Sequence, residues 1–464
     1  MRLFNTLTGK DEEFVPSDGK TVKMYVCGVT PYSATHVGHA LSYVVFDTLR
    51  RYLEFLGYRV EHVQNFTDVD DKIIQRAQEA GISGEELTDR YISDFFTAMD
   101  SLNVQRADSY PRATQEIPAI IKTIETLIEK GFAYASGGDV YFRVTKSEDY
   151  GKLSHRTLDG MIAGARVQVD ENKEHPMDFV LWKAAKPREP AWDSPWGPGR
   201  PGWHIECTTM ALDRLGDPLD IHGGGHDLVF PHHENENAQS EAYTGRTPFA
   251  RHWVHNGLLQ LGEDKMSKSL GNLVSAEEAL AQYSPDALRI YFLDSHYRSP
   301  LSYSSAGAAA RERSMERLRH ALRPAGSADS DDSNQELLDP QPFRDRFLNA
   351  MDNDLNTPRA LACLFDLARE INRAVEAGNN AAPAQDTLRE LGGILGLTFQ
   401  ERASGDQHRL AAKPFIDLLV NTRQELRRAK QYALADQIRD ELAKQGVTVE
   451  DTPQGSEWQY QSIL

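Results

Sequence analysis

The 464-residue chain is 40% hydrophobic and 26% charged, a composition typical of soluble globular proteins, and its length predicts about two to four domains. Its 51 basic and 69 acidic residues give a net charge of −18, which argues against a polyanionic partner unless a local patch binds one. Three cysteines do not make a disulfide framework, and neither a secretory segment nor an apolar run of about 18 residues is found. We therefore expect a cytoplasmic protein without membrane contact. We also expect a monomer.

A strand–helix–strand unit is predicted near the start. "TVKMYVCG" (21–28) has the pattern of a short strand, and apolar residues at helical spacing follow from Leu41 to Leu56. "YRVEHVQNF" (58–66) predicts a second strand, which such a crossover makes parallel to the first. Ligands of parallel sheets bind at the carboxyl ends of the strands, where Cys27 and the segment 65–71 both emerge.

An insertion is predicted next, because the alternation of strand and helix patterns stops. "IPAIIKTIETLIEKG" (117–131) predicts an amphipathic helix, and residues 132–144 predict a hairpin that turns at Gly137 and Gly138. Residues 187–202 are rich in Pro, Gly and Trp, which indicates a loop that returns to the first domain.

The chain beyond residue 336 is predicted to be largely helical up to about residue 400. "RERSMERLRHALR" (311–323) has five arginines against two glutamates and is either a polyanion-binding patch or the solvated face of a helix. Residues 324–336 are polar and predict a linker. Residues 446–460 predict a hairpin that turns between Pro453 and Gly455.

Two short motifs indicate phosphate chemistry. "HVGH" places His36 and His39 at the start of the first helix, where backbone N–H groups and the helix dipole favour an anion. "KMSKS" (265–269) carries two lysines that could neutralise a triphosphate during displacement. Alone, "HVGH" could be an incidental histidine pair, and "KMSKS" could be a basic surface turn. The occurrence of both motifs in this order is far more specific for phosphate chemistry than either motif by itself.

Four side chains from separate segments are candidate zinc ligands: Cys27, Cys207, His232 and Glu236. Cys207 lies at a second strand-like position in "GWHIECTTM", and His232 and Glu236 share a face if their segment is helical. A free cysteine is more often a small buried hydrophobe, the role expected for Cys363, but dense polar surroundings favour a metal for the other two.

Further candidates lie beside these segments. "HGGG" predicts a loop where the backbone of Gly223 and Gly224 can approach a ligand closely. Trp203 is either a core residue or a wall of a small-substrate pocket. Asp227 is a candidate to contact a substrate amine or the ribose of ATP.

Together these blocks resemble the cysteinyl-tRNA synthetases, a family of class I aminoacyl-tRNA synthetases. The resemblance is carried, in order, by "MYVCGVTPY", "HVGH", "NFTDVDDKI", "GRPGWHIEC", "HGGGHDLVFPHHENE" and "KMSKS". It runs from the first strand to about residue 300. The first signature departs from the family's usual form only by Val37 in place of isoleucine, which leaves both histidines.

The resemblance implies an α/β fold, in which a Rossmann-like parallel-sheet catalytic domain with an insertion is followed by a helical bundle and a small mixed C-terminal domain. The implied domains are the first catalytic half (1–113), the insertion (114–190), the second catalytic half (191–250), a linking fold with the lysine loop (251–323), a linker with the helical bundle (324–400) and an anticodon-binding domain (401–464). It also implies one zinc ion on the four candidate ligands and a cysteine pocket lined by Thr67 and Trp203. The implied ATP-binding residues are His36, His39, Gly223, Gly224, Lys265, Met266, Ser267, Lys268 and Ser269.

The implied reaction activates L-cysteine with ATP, supplied as its Mg²⁺ complex, and passes the cysteinyl group to the 3′-terminal adenosine of tRNA(Cys). Positioning and charge stabilisation suffice for these steps, which suits His36, His39, Lys265 and Lys268 as catalytic residues. Zinc would select the substrate, because it binds a thiolate well and the neutral alcohol of serine poorly.

Two other hypotheses stay open. A relative that ligates cysteine to an amino sugar in mycothiol synthesis would share both signatures and the zinc site, but the long region after residue 324 favours tRNA as the acceptor. A decayed, non-catalytic zinc-binding synthetase is disfavoured by the intact "KMSKS" and the two signature histidines.

Overall fold

The computed structural model describes residues 1–164, 171–261, 264–265, 274–323, 336–400, 404–444, 447–452 and 455–460. Its strands are β1 (Arg2–Asn5), β2 (Lys10–Glu13), β3 (Thr21–Val26), β4 (Arg59–Gln64), β5 (Ala133–Ser136), β6 (Asp139–Phe142), β7 (Phe179–Ala184), β8 (Gly199–Pro201), β9 (Leu219–Gly225), β10 (Ala250–Asn256), β11 (Leu259–Leu261), β12 (Asp264–Lys265), β13 (Leu301–Tyr303), β14 (Val447–Thr452) and β15 (Gly455–Tyr460). Its helices are α1 (Val37–Phe55), α2 (Asp71–Ala80), α3 (Gly84–Ser101), α4 (Ile117–Glu129), α5 (Leu158–Gly164), α6 (Trp203–Leu215), α7 (Glu234–Thr244), α8 (Ala276–Gln282), α9 (Pro285–Leu293), α10 (Ser305–Ala321), α11 (Gln341–Asp352), α12 (Thr357–Glu376), α13 (Ala382–Ile394), α14 (Ser404–Arg428) and α15 (Tyr432–Lys444).

A parallel four-stranded sheet in the order β10-β9-β3-β4 forms the centre of the first unit, Met1–Phe399. Its strand β3 is buried at Met24, Tyr25 and Val26, as expected for a parallel strand covered on both faces. Val26 is paired with Gln64 on one side and with Gly223 on the other. The predicted strand–helix–strand unit is therefore confirmed, and the carboxyl ends of β3, β4 and β9 lie at one edge.

The predicted helix and hairpin of the insertion are confirmed. α4 packs against an antiparallel sheet in the order β5-β6-β7-β8, with its own apolar core. The hairpin turns at Gly137 (φ +63°) and Gly138 (φ +92°), a backbone conformation that favours glycine. The last strand of this sheet is β8, Gly199–Pro201. It lies inside the segment 187–202 that was predicted to be a loop, and beyond residue 190, where the insertion was predicted to end.

The helices predicted before residue 400 are confirmed as α11, α12 and α13. The arginine-rich segment lies largely on α10, where Arg311 pairs with Asp294 and Arg319 pairs with Glu312, so part of its charge is neutralised locally. Residues 324–335 of the predicted linker lie outside the described residues. Among the helices described, none combines the length and apolar character needed to cross a bilayer.

The second unit, Gln400–Leu464, consists of α14, α15 and the antiparallel pair β14-β15. Val449 pairs with Trp458, whose indole N–H donates to the Asp417 carboxylate at 2.7 Å. This confirms the predicted hairpin, although Pro453 at its turn lies outside the described residues.

A buried ion pair joins α1 to α9, a helix that follows the parallel sheet in the chain. The Arg289 guanidinium of α9 is fully buried and lies 2.6 Å from the Asp47 carboxylate of α1. It also donates to the backbone oxygen of Leu395 at 2.8 Å and of Leu102 at 3.0 Å. One side chain therefore fixes the ends of α3 and α13 against α1.

Replacing Arg289 by methionine should strongly destabilise the protein, because it leaves the buried Asp47 carboxylate and two carbonyls without this partner. We expect the free energy of unfolding to fall by about 3–5 kcal/mol, measured by urea denaturation. Arg51→Met is the matched control, since Arg51 also contacts Asp47, at 2.8 Å, but is partly exposed. Equal losses in the two variants would contradict the special role of Arg289.

Candidate active site and metal centre

Two thiols, one imidazole and one carboxylate meet at the carboxyl edge of the parallel sheet. Cys27 directly follows β3, Cys207 lies in α6, His232 lies in the turn before α7, and Glu236 lies in the first turn of α7. All four are buried, and their donor atoms lie within 4.8 Å of one another. The Sγ atoms of Cys27 and Cys207 are 3.8 Å apart, and Nε2 of His232 is 2.8 Å from Oε1 of Glu236. The structure thus brings together the four predicted ligands.

Two predictions about the backbone around these ligands are wrong. Cys207 is not strand-like but lies in α6, a helix that begins after Gly202 and in which the Thr208 hydroxyl bonds back to the His204 carbonyl. "HGGG" is not a loop but the end of strand β9. Glycine is required there, since a Cβ on Gly223 would lie 2.3 Å from the Phe46 ring.

The buried charges of the cluster stabilise one another. Burial alone would raise the pKa of Glu236, but the imidazoles of His232 and His222 outweigh it and hold that pKa well below its usual range. Burial also opposes ionisation of Cys207, yet hydrogen bonds with Cys27 and His232 lower its pKa to about 6. Burial and the neighbouring Cys207 raise the pKa of Cys27. Cys207 is therefore the thiol that ionises first.

A neighbouring histidine orients the His232 ring. Burial, followed by the charge of His232, lowers the pKa of His204 to about 3, so its imidazole is neutral. The Nδ1 atoms of the two rings are 2.9 Å apart, so one of them must donate. With His204 accepting, the His232 ring donates from Nδ1 and turns Nε2 to the cluster. Burial opposes protonation of this ring, but Glu236 and Cys207 outweigh it and raise the pKa of His232 to about 10, so a metal ion would displace the Nε2 proton on binding.

Two further imidazoles, those of His222 and His233, lie at the cluster and were not predicted from the sequence. Nε2 of His233 lies 3.2 Å from the Cys27 Sγ, and Nε2 of His222 lies 3.2 Å from the Glu236 carboxylate. Together with Cys27 and Glu236 they form a second possible ligand set. His222 could have been found by reading "DIHGGG" as a parallel strand, which would have placed it beside Cys27 at the same sheet edge.

The donor chemistry fits a metal ion. Sulfur, nitrogen and carboxylate oxygen atoms converge in a buried space, and the ionised groups among them need a compensating positive charge. Two sulfurs, one nitrogen and one oxygen are a combination that suits a tetrahedral, moderately soft cation.

The cluster opens onto a cavity of about 640 Å³. Five of the predicted site residues line it, namely Cys27, His36, His39, Trp203 and Asp227. His36 caps α1, and its ring stacks on that of His39 with the centroids 3.6 Å apart. Cys27 of the candidate metal site and the first signature therefore face one space.

Other predicted residues lie away from the lining. Gly223 faces Phe46 and Gly224 faces Leu228 and His233, whereas Gly225 lines the cavity. Thr67 is buried behind the wall, where its N–H donates to the carbonyl of Val29, a lining residue. Four lining residues were not predicted from the sequence: Tyr32, Ser42, Lys72 and Asn256.

The lysine motif is described only at its first residue. The backbone of Lys265 pairs with Gln260 in β12-β11, while Met266, Ser267, Lys268 and Ser269 lie outside the described residues. The described chain after the lysine motif forms a hydrogen bond to "HVGH": the Val37 N–H donates to the Val274 carbonyl at 3.0 Å.

Comparison with known proteins agrees with this geometry. The family model for the class I (C) tRNA synthetase catalytic domain matches residues 13–312. The chain is 55% identical to a cysteine–tRNA ligase from Dehalococcoides mccartyi over 461 residues, which are 99% of both chains. It is 51% identical to the one from Moorella thermoacetica, again over 99% of both chains.

The chain belongs to the cysteine–tRNA ligase family.

Two further family models match this cysteine–tRNA ligase family member, a DALR domain at residues 346–400 and a cysteinyl-tRNA ligase anticodon-binding domain at residues 414–458. Methionyl-tRNA synthetase from Mycobacterium tuberculosis, solved with methionyl-adenylate, has a similar fold, with a TM-score of 0.60 at 18% identity. The match covers 81% of this chain and 89% of that one. The predicted family and fold class are confirmed.

Loss of one thiol should release the metal from this site. We expect the purified protein to hold about one metal ion per chain, and Cys207→Ser to lower this content severalfold, as measured by inductively coupled plasma mass spectrometry. Cys363→Ser is the control, because Cys363 is buried in α12 outside the cluster. Equal metal content in all three proteins would exclude Cys207 as a ligand.

Proposed function

We propose that the chain activates L-cysteine with ATP to cysteinyl-adenylate and transfers the cysteinyl group to the 3′-terminal adenosine of tRNA(Cys), with bound zinc selecting the substrate thiolate. The observation that carries this proposal is the position of Cys27. Its sulfur belongs to the four-donor cluster, and the same residue lines the cavity that His36 and His39 also line. A substrate thiol and the phosphates of ATP could therefore occupy one space.

The proposed zinc site consists of Cys27, Cys207, His232 and Glu236. Zinc, when bound, supplies a soft Lewis acid that prefers a thiolate to the alcohol of serine. A hydrophobic pocket alone rejects a near-isostere by only about a hundredfold, so selection needs this chemical difference.

The amino-acid end of the cavity has an aromatic wall. Trp203 is 40% exposed and stacks on His232 with the ring centroids 4.0 Å apart. This position supports the pocket interpretation of Trp203 over the core interpretation. Asp227 offers a carboxylate to the substrate amine or to the ribose of ATP, and Thr67 supports the wall through Val29.

The activation step requires positioning and charge compensation. The substrate carboxylate attacks the α-phosphorus of ATP, a new P–O bond forms, and the bond to the leaving pyrophosphate breaks. His36 and His39 lie at the N-terminus of α1, where the helix dipole favours the phosphates. Lys265 and Lys268 are proposed to neutralise the departing pyrophosphate, whose usual counter-ion is Mg²⁺.

The proposal is tested by the sulfur content around the metal. X-ray absorption at the zinc edge should show one more sulfur neighbour when cysteine is added, and serine should leave the spectrum unchanged. The zinc that the Cys207→Ser variant still retains should have one sulfur neighbour fewer than the zinc of the natural chain. An identical sulfur count with and without cysteine would rule out direct selection of the thiolate.

The second unit should serve the tRNA step alone. It carries Arg428 and Lys430 beside Tyr432, all exposed, and cations next to an aromatic ring suit phosphate contact with base stacking. A chain shortened to end at Phe399 should keep cysteine-dependent pyrophosphate exchange within about threefold. It should lose most of its kcat/KM for charging tRNA(Cys), and more so at moderate salt.

Assays of the full chain in parallel distinguish tRNA from an amino sugar as the acceptor. Equal charging by the shortened and full chains would show that the second unit does not bind the anticodon. If neither charges tRNA while exchange proceeds, the amino-sugar ligase becomes the better hypothesis.

A further inference from the structure

Lys72 lies on the wall of the active-site cavity, and the steps proposed above give its side chain no role. It occupies the first turn of α2, is exposed to solvent and lines the cavity together with His36 and His39. Its ammonium lies 5.4 Å from the centroid of the Tyr32 ring, which also lines the cavity. This cation–π contact holds the charge at an exposed part of the cavity wall.

The acidic residues next to Lys72 are all engaged elsewhere. Asp68 accepts from the backbone N–H and the hydroxyl of Thr114, at 2.9 Å and 2.6 Å. Asp70 caps α2 by accepting from the Lys72 backbone N–H at 2.9 Å.

Asp71 is held by the insertion. It pairs with Lys183 of β7 at 2.7 Å and with the buried guanidinium of Arg200 in β8. Among the ion pairs of the described residues none includes Lys72, although three aspartates lie within four positions of it. Its positive charge is therefore available to a ligand.

We propose that Lys72 binds a backbone phosphate of the single-stranded 3′ end of tRNA during transfer of the cysteinyl group. The inference rests on the proposed function and adds to it a residue that acts after the adenylate has formed. Lys72 donates to a phosphate oxygen, and Tyr32 positions its ammonium.

The position of Lys72 favours the tRNA end over ATP. ATP is expected at the N-terminus of α1, where His36 and His39 are partly buried. Lys72 lies instead on an exposed helix that contacts the insertion through Asp71. The acceptor enters last and from solvent, so it passes the exposed rim that carries Lys72.

The experiment compares two partial reactions in the full-length, metal-loaded enzyme. Cysteinyl-adenylate is formed first, tRNA(Cys) is then added, and the single-turnover transfer rate is measured at subsaturating tRNA beside pyrophosphate exchange. Lys72→Ala should slow transfer by about ten- to a hundredfold more than it slows exchange, the size expected for one charged hydrogen bond. Lys72→Arg should recover most of the loss.

The salt dependence provides an independent readout. The slope of log Kd for tRNA against log salt should fall by roughly 0.7 in Lys72→Ala, as expected for one phosphate contact on a single strand. Lys20→Ala is the matched control, because this exposed lysine precedes β3 at the opposite edge of the sheet, and it should change neither the slope nor the rates.

Two outcomes would overturn the inference. If Lys72→Ala transfers at the natural rate while the natural chain charges tRNA, the proposed function stands and the role of Lys72 is wrong. If the variant raises the KM for ATP and slows exchange as much as transfer, Lys72 contacts ATP instead. Failure of the natural chain to charge tRNA(Cys) would refute the proposed function itself.

Discussion

The buried ion pair between Asp47 and Arg289 is the contact on which the arrangement of the first unit depends. A charged side chain in a protein interior is tolerated only when a partner and further hydrogen bonds compensate its lost hydration. Arg289 meets this condition only if α1, α9 and the ends of α3 and α13 occupy their observed places. The ion pair thereby fixes the axis of α1, whose N-terminus presents His36 to the cavity.

The chemistry of the site depends on a second constraint, the parallel pairing of β3 with β9. The Cys27 N–H donates to the Gly223 carbonyl at 2.9 Å, which continues the pairing one residue beyond β3. This bond holds the thiol at the sheet edge, within reach of donors from α6 and α7. The sheet thus supports the buried cluster, while the residues proposed to meet ATP and tRNA lie on the helices and turns beside it.

Much of this arrangement could be predicted from the sequence, because its determinants are local. The alternation of strand and helix patterns predicted the β3-α1-β4 unit, and two adjacent glycines predicted the insertion hairpin. The four candidate metal donors were chosen by their chemistry, and the structure brings them together even though the secondary structure around Cys207 was predicted wrongly. A short segment with both apolar and β-branched residues does not distinguish helix from strand, and only packing decided for α6. Lys72 lies in the block "NFTDVDDKI", but a position in that block does not show what its side chain faces, so its place on the cavity wall required the three-dimensional structure.

The separation of Cys27 and Cys207 along the chain gives the metal centre a second consequence. The two thiols are 180 positions apart, and the whole antiparallel sheet of the insertion lies between them. A cation held by both sulfurs acts as a reversible cross-link that closes this long loop. Such closure lowers the conformational entropy of the unfolded chain, as a disulfide would, but it can form in a reducing compartment. An ion at this site, proposed to select the substrate, would thus also fasten the two halves of the catalytic domain on either side of the inserted sheet.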